Sequence, residues 1–280
     1  KAFYISKYPN KRVSNNLIQG KQLSFNNIRD IETALDCINE FKQPTSVIIK
    51  HNSPCGVASN KKISKAFLDS KNTDPISAFG GIVIINRTLD KKTAEIISKN
   101  FYEVVLAPNF TKGALVVLNK KQNLRLISTD NIKKNVQKEI YSVNDGYLIQ
   151  EKNKIIFNKS YIKLASKYKC SNQKIDDLIY AFKVCKHVKS NAIVIVSNQK
   201  TISIGAGQTS RIDATRIAIK KINNKKISYV VASDGFFPFI DSIKLLIKNK
   251  CKAIIQPYGS LNDENMINFA NENRFPLYFS

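Results

Sequence analysis

Tryptophan is absent from this 280-residue chain, methionine occurs once, and histidine occurs only as His51 and His187. With two histidines and no clustered thiols, the usual ligand set of a zinc site is missing, and no transition metal is expected. The five cysteines, Cys37, Cys55, Cys170, Cys185 and Cys251, are odd in number, scattered, and never form a C-x-x-C pair. A disulfide framework is thereby excluded in favour of free thiols in a reducing compartment. No apolar run approaches the ~20 residues that span a bilayer. The opening Lys1-Ala2-Phe3-Tyr4 lacks the charged, apolar, small-residue order of a signal peptide. A soluble cytoplasmic protein is the expectation.

Acidic residues are also few, 21 against 45 Lys and Arg, giving a formal charge of +24. Gathered on one face, that charge would attract nucleic acid or another polyanion. The lysines instead run along the whole chain among many asparagines and isoleucines, as a general compositional bias would place them. A solvated basic surface is the plainer reading. The 43% hydrophobic content can fill one large domain or two smaller lobes.

Apolar residues at Ile28, Ile31, Leu35 and Ile38 predict a helix over 27–41. A β-branched strand, Thr45-Ser46-Val47-Ile48-Ile49, follows and ends at Lys50-His51, where Asn52-Ser53-Pro54-Cys55-Gly56 reads as a loop. Further strands are predicted at 81–86, 104–107, 192–196, 228–232 and 252–256. Helices are predicted at 91–100, 173–187, 210–222, 241–248 and 262–271. Residues 114–118 suit either element. The alternation implies an α/β protein with largely buried sheets. The polar, hairpin-like stretch 133–159 is the best boundary between two lobes, 1–155 and 156–280. Two loops, Asp74-Pro75-Ile76-Ser77-Ala78-Phe79-Gly80-Gly81 and Ser233-Asp234-Gly235-Phe236-Phe237-Pro238-Phe239, share an acidic residue, glycine and phenylalanine and hint at related halves.

Lys50-His51 stands where a buried strand ends, and ligands of open α/β sheets gather outside carboxyl ends of strands. Histidine takes and returns protons near neutral pH, and a neighbouring ammonium favours the neutral ring. The structural alternative is a histidine bonded to loop backbone beside a lysine that merely ends a strand. Cys55, four residues on, raises a Cys-His nucleophilic pair, although Pro54-Cys55-Gly56 reads as turn punctuation with no orienting partner. Ile204-Gly205-Ala206-Gly207-Gln208-Thr209-Ser210-Arg211 joins a strand to a helix that Ser210 can cap, and Arg211 suits a carboxylate or phosphate. It lacks the third glycine of a dinucleotide fingerprint and is not a P-loop. In Asp234-Gly235-Phe236-Phe237-Pro238-Phe239-Ile240-Asp241, the aromatics either sandwich a flat heterocycle, with Asp241 accepting from ring nitrogens, or fold back into the core.

Taken in order, Gln19-Gly20-Lys21-Gln22-Leu23-Ser24-Phe25-Asn26-Asn27, Lys50-His51 with Pro54-Cys55-Gly56-Val57-Ala58, residues 74–81, Ser190-Asn191-Ala192, residues 204–211, residues 232–239 and Ile255-Gln256-Pro257 cover nearly the whole chain. Together they resemble the transformylase part of the bifunctional purine biosynthesis enzymes that also carry inosine monophosphate (IMP) cyclohydrolase activity. The resemblance implies an α/β fold of two cytidine-deaminase-like lobes, with mixed sheets flanked by helices and without that fold's zinc. It implies formyl transfer from 10-formyltetrahydrofolate to the amine of phosphoribosyl-aminoimidazole-carboxamide. His51 would be the base, with Lys50 and Asn191 supporting the transition state. Asn27, Phe79, Gly80, Glu103 and Arg211 would surround the acceptor, Phe236 and Asp241 the folate, and Asp234 an alkali cation such as potassium. A homodimer with shared active sites is implied, with no membrane and no specific nucleic-acid partner. Full-length relatives are expected to begin with a cyclohydrolase domain, to carry an arginine-containing segment ahead of Phe3-Tyr4-Ile5, and to end in a tail with arginine, phenylalanine and histidine. None of these is in the sequence given, so cyclohydrolase activity is not expected of it. Two other readings stay open: a basic nucleic-acid-binding module, and a decayed homologue that keeps fold and dimer contacts without catalysis.

Overall fold

The computed structural model describes residues 16–130, 132, 138–224 and 226–280. The Phe3-Tyr4-Ile5 segment and the start of the 133–159 stretch lie outside them. The first lobe runs β1 (Leu17–Gln19), α1 (Phe25–Ile38), β2 (Thr45–Lys50), β3 (Ser53–Ser59), α2 (Ile63–Thr73), α3 (Pro75–Ala78), β4 (Ile82–Ile85), α4 (Lys91–Ser98), β5 (Val104–Ala107), α5 (Lys112–Leu118) and β6 (Arg125–Ser128). A hairpin of β7 (Lys138–Val143) and β8 (Gly146–Glu151) follows. The second lobe runs β9 (Lys163–Leu164), α6 (Asn172–Cys185), β10 (Ile193–Val196), β11 (Thr201–Gly205), α7 (Arg211–Lys220), β12 (Val230–Ser233), α8 (Asp241–Lys248), β13 (Ile254–Gln256), α9 (Asp263–Glu272) and β14 (Leu277–Phe279).

Each lobe is a mixed six-stranded sheet flanked by helices, in the orders β3-β2-β4-β5-β6-β1 and β11-β10-β12-β13-β14-β9. The two orders correspond strand for strand, so the lobes are copies of one architecture. The loop similarity that hinted at this was misleading. The segment 74–81 precedes β4, whereas 233–239 follows the equivalent strand β12.

Burial on both faces explains why the central strands are uninterrupted apolar runs rather than alternating ones. Val47 and Ile49 of β2 enter a core shared by the lobes, with Ile31 and Leu35 of α1 and Leu178, Ala181 and Val184 of α6. Ile48 points the other way, onto Ala66 and Phe67 of α2. In the second lobe Val194 and Val196 face the shared core, while Ile193 and Ile195 face α7, α8 and α9.

Several expectations need correction. The 52–56 stretch is not a loop. His51 and Asn52, at φ 54° and 58°, form a two-residue turn, and β3 begins at Ser53. Pro54 and Cys55 mislead because strand β3 lies at the edge of its own sheet, where a missing N–H is tolerated. Gly56 is in the strand because a Cβ there would lie 1.9 Å from the Ser70 carbonyl oxygen of α2. Helix α2 escaped the pattern reading, and residues 114–118 belong to helix α5, capped by Thr111.

Candidate functional site

Strand β2 runs antiparallel to β4, pairing Ile49 with Ile82, and β4, β5 and β6 are parallel to one another. Lys50 and His51 therefore sit at the carboxyl end of β2 but at the amino ends of the three parallel strands. The rule that pointed to Lys50-His51 from sequence thus meets them at the unconventional end of this sheet, the amino ends of its parallel strands.

That end gathers most of the first lobe's candidates. Ser24 and Asn27 form a reciprocal capping box at the start of α1, which leaves the Asn27 carboxamide free to donate to Glu103 Oε2 at 2.7 Å. Asn27 is 4% exposed, so this bond holds it firmly. Glu103 is fixed through its backbone, its amide on the Gly81 carbonyl and its carbonyl accepting from Arg125. Lys50 Nζ donates to the Phe79 carbonyl at 2.6 Å. The Phe79 ring is exposed and rests against Phe101, and Gly80 turns the chain at φ 71°. His51 is exposed, and its turn is held by Asp30 of α1, whose carboxylate accepts from the His51 and Asn52 amides at 3.3 and 2.6 Å.

The second lobe contributes from the carboxyl ends of its parallel strands. Asn191, just before β10, donates from its backbone amide and its carboxamide to the Gln208 carbonyl, at 3.0 and 2.8 Å. Arg211 opens α7 and forms a partly buried ion pair with Asp234, whose Oδ1 also accepts from the Ala192 amide at 2.8 Å. Gly235 leaves room for this guanidinium, since a Cβ would lie 2.6 Å from Arg211 Nη2 and the side chain would have to shift. Of the three phenylalanines in the aromatic loop, one folds back into the core and two do not. Phe237 is fully buried, while Phe236 and Phe239 are exposed. Phe239 and Ile240 line an open groove of about 410 Å³ with Asn262, Asn265 and Phe269. Asp241 begins α8 and turns Oδ1 to the Ser242 amide.

Both groups lie at one end of the molecule. Ala58 of β3 and Lys200 form an antiparallel bridge between the lobes, and Thr201 Oγ1 bonds both the amide and the carbonyl of Val57. Strands β3 and β11 thus run in opposite directions, which brings the 205–211 turn back toward His51. The Lys189 amide donates to Ser53 Oγ at 3.5 Å, joining the histidine turn to the segment that carries Asn191.

Two sequence candidates have structural roles. Asp74 caps α3 and bonds Lys221 of the second lobe at 2.9 Å. Burial alone would raise its pKa, but the Lys221 and Ser77 bonds outweigh that and hold it below the ordinary value. Cys55 donates to the Ile48 carbonyl, and burial, reinforced by the Asp74 charge, pushes its pKa up to about 12. At neutral pH it is a thiol, not a nucleophile. Among the described residues, no group of three or more His, Cys, Asp or Glu side chains is placed to hold a metal ion. Nor is any helix long and apolar enough to cross a membrane. The sequence reading missed Asp30, Gln208 and Arg125, whose guanidinium ties down the Lys21 and Gln22 carbonyls. The signal for Asp30 was its place three residues after Asn27, on the same face of α1.

The model of the family described as AICARFT/IMPCHase bienzyme matches residues 1–221. The "Bifunctional purine biosynthesis protein PurH" of Buchnera aphidicola subsp. Baizongia pistaciae is 46% identical over 281 residues, covering 98% of this chain and 53% of its own length. The protein of the same name from Caldicellulosiruptor saccharolyticus is 44% identical, over 94% of this chain and 51% of its own length. That from Buchnera aphidicola subsp. Schizaphis graminum is 43% identical, over 100% and 55%. The chain spans about half the length of these curated relatives. With the family model matched over 221 of its 280 residues, the chain belongs to the AICARFT/IMPCHase bienzyme family.

Proposed function

We propose that this chain is the formyl-transferring half of its family. In this reading it moves the formyl group of 10-formyltetrahydrofolate onto the ring amine of phosphoribosyl-aminoimidazole-carboxamide, within the purine biosynthesis that the relatives' names state. The observation that carries the reading is an exposed imidazole, His51, fixed on a tight turn beside Lys50, at the end of the molecule where Asn191 and Arg211 also lie.

The acceptor amine is a weak nucleophile, because its lone pair is drawn into the imidazole ring and the carboxamide. Attack on the formyl carbon therefore needs a base to take the amine proton as the C–N bond forms, and His51 supplies it. The carbonyl oxygen becomes an oxyanion, for which the Lys50 ammonium and the Asn191 carboxamide are donors of the right type. Collapse breaks the bond to folate N10, and the proton held by His51 passes to that nitrogen. One C–N bond forms, one breaks, and the proton crosses from acceptor to donor with the imidazole regenerated.

On the acceptor side the reading uses the anchored Asn27–Glu103 pair, the Phe79-Gly80 turn and Arg211. On the folate side it uses the exposed Phe236 and Asp241. An alkali cation at Asp234 does not fit the residues present. The carboxylate is already neutralised by Arg211, and the guanidinium would repel potassium, so no step is routed through a cation. A second copy of the chain belongs to the reading too. In the β7–β8 hairpin Ile140, Tyr141, Tyr147, Leu148 and Ile149 are each more than half exposed. An isolated two-stranded hairpin is marginal in water, so such a surface calls for a partner.

The test is formyl transfer by the purified protein with both substrates, followed by chromatography of the formylated product. His51→Ala should reduce turnover at least ~100-fold, within the range general-base removal produces, while folate binding stays within about threefold of the parent. Unchanged turnover would remove His51 from the mechanism.

A further inference from the structure

Asp30 lies outside the set of residues that the resemblance assigns, yet it makes two bonds to the turn that carries His51. Its carboxylate accepts from His51 N through Oδ2 and from Asn52 N through Oδ1. Two successive residues with positive φ turn their amides toward the same side, and that pair of donors forms a small nest for an anionic group. An L-residue pays a steric penalty in this region, and one other than glycine or asparagine stays there only if its surroundings hold it.

The second lobe repeats the device. Asn198 and Gln199, both at φ 53°, form the turn between β10 and β11. The Asp177 carboxylate accepts from Asn198 N through Oδ2 and from Gln199 N through Oδ1, at 3.1 and 2.9 Å. Asp30 and Asp177 occupy the same position in their helices, the sixth residue of two 14-residue helices. Both precede the first turn residue by 21 positions and the second by 22. The duplicated architecture thus carries a duplicated carboxylate brace, but only the first lobe's turn bears a histidine. Asn198 occupies the matching place in the second. It faces the opposite end of the molecule, because the lobes meet through antiparallel β3 and β11.

We infer that Asp30 is the positioning residue for His51. By holding the two turn amides it fixes the Cα–Cβ direction of His51, and so the volume in which the imidazole can meet an acceptor amine. Its own place is set by α1, whose previous turn is pinned by the Asn27–Glu103 bond. One helix face therefore orders an acceptor-side residue and the base together. The inference rests on the reading of His51 as the base. Asp30 acts through the backbone of His51 and touches no reacting atom.

Asp177 supplies an internal control. In Asp30→Asn the carboxamide keeps one acceptor oxygen and turns its NH2 group toward the other amide. Turnover should fall about 10- to 100-fold, the range expected when a reacting group is displaced by about an ångström, with both KM values within about threefold. In Asp177→Asn the same brace is broken where no histidine sits. Its Tm should fall at least as far as that of Asp30→Asn, because Asp177 is only 1% exposed, while kcat stays within about twofold of the parent. Hydrogen exchange read by NMR at the His51 and Asn52 amides should speed up at least tenfold in Asp30→Asn, as expected when a hydrogen-bonded amide is released to water, and not at all in Asp177→Asn. If kcat falls no further in Asp30→Asn than in Asp177→Asn, or if the two amides exchange as before, the positioning role is overturned. Absence of formyl transfer by the parent protein would instead sink the functional reading. The exchange rates would then decide by themselves whether Asp30 holds the turn.

Discussion

Replacing Asp234 by asparagine removes the carboxylate that faces Arg211 while keeping the side chain's size and its acceptor for the Ala192 amide. The Arg211 side chain is 10% exposed and that of Asp234 16%. The guanidinium packs against the adjoining loop, its Nη2 2.6 Å from where a Cβ on Gly235 would stand. The variant leaves this largely buried charge uncompensated. At contact distance and an effective dielectric near 20 the lost attraction is about 4 kcal/mol, and removing one partner of a buried pair generally costs about 3–5 kcal/mol. The asparagine oxygen still serves Ala192, so the separate loss of about 1–3 kcal/mol for an orphaned amide is avoided. Urea unfolding followed by far-UV circular dichroism should show Asp234→Asn less stable by about 3 kcal/mol, the lower end of that range. The difference should persist between 0.05 and 0.5 M salt, at about the same size, because burial shields the pair from counterions. Asp234→Asn combined with Arg211→Met removes both charges and should recover most of the loss. A loss under about 1 kcal/mol, or one that salt abolishes as it would for an exposed pair, would show that Arg211 and Asp234 are not coupled as a buried pair.

Two further expectations follow from the buried groups. With its pKa pushed up to about 12, Cys55 should resist iodoacetamide at pH 8 in the folded protein and react once urea is added, as peptide mass spectrometry would show. Cys55→Ser should leave turnover within about twofold, since the thiol is not the nucleophile, and loss of turnover would reinstate the Cys-His pair. Glu40, 6% exposed just after α1, lies 2.8 Å from Lys186 Nζ and 3.4 Å from His187 Nε2 at the end of α6. Burial works to raise its pKa, but the close approach of His187 and the hydrogen bond and charge of Lys186 prevail and lower it from 4.5. A depressed carboxyl pKa gives stability that is present above the unfolded value and lost as pH falls through the folded one. The stability advantage of the parent over Glu40→Gln should therefore be present at neutral pH and shrink below about pH 4.5. A gap that does not change with acid would show that the carboxylate charge contributes nothing.

The strands β2, β4, β5, β10, β12 and β13 were legible because sheets covered on both faces demand unbroken β-branched runs, and that demand is local. Helices α1, α6 and α8 were legible from their 3.6-residue periodicity, and α7 also from its Ser210 cap. Strand β3 was not, because Pro54 and Gly56 signal a break to any local reading. Only the packing of α2 against the strand, which excludes a side chain at Gly56, explains a glycine there. The site showed the same division. Lys50, His51, Asn191 and Arg211 stood out by type and order, whereas Asp30 reads as one more acidic residue on a helix until its carboxylate is seen on the turn amides.

By itself the sequence determined the element alternation, the free thiols, the family resemblance and the identity of the charged and aromatic candidates, because each rests on residue type and short-range spacing. The tertiary structure alone decided that the two sheets are copies with one strand order, and that their lobes meet with β3 and β11 antiparallel. It alone decided that the candidate site takes the turn end of one sheet and the strand carboxyl ends of the other. It also decided that burial raises the Cys55 pKa and that Asp234 answers Arg211. Those outcomes depend on which groups, far apart in the chain, lose water together, and no local pattern of residues encodes that.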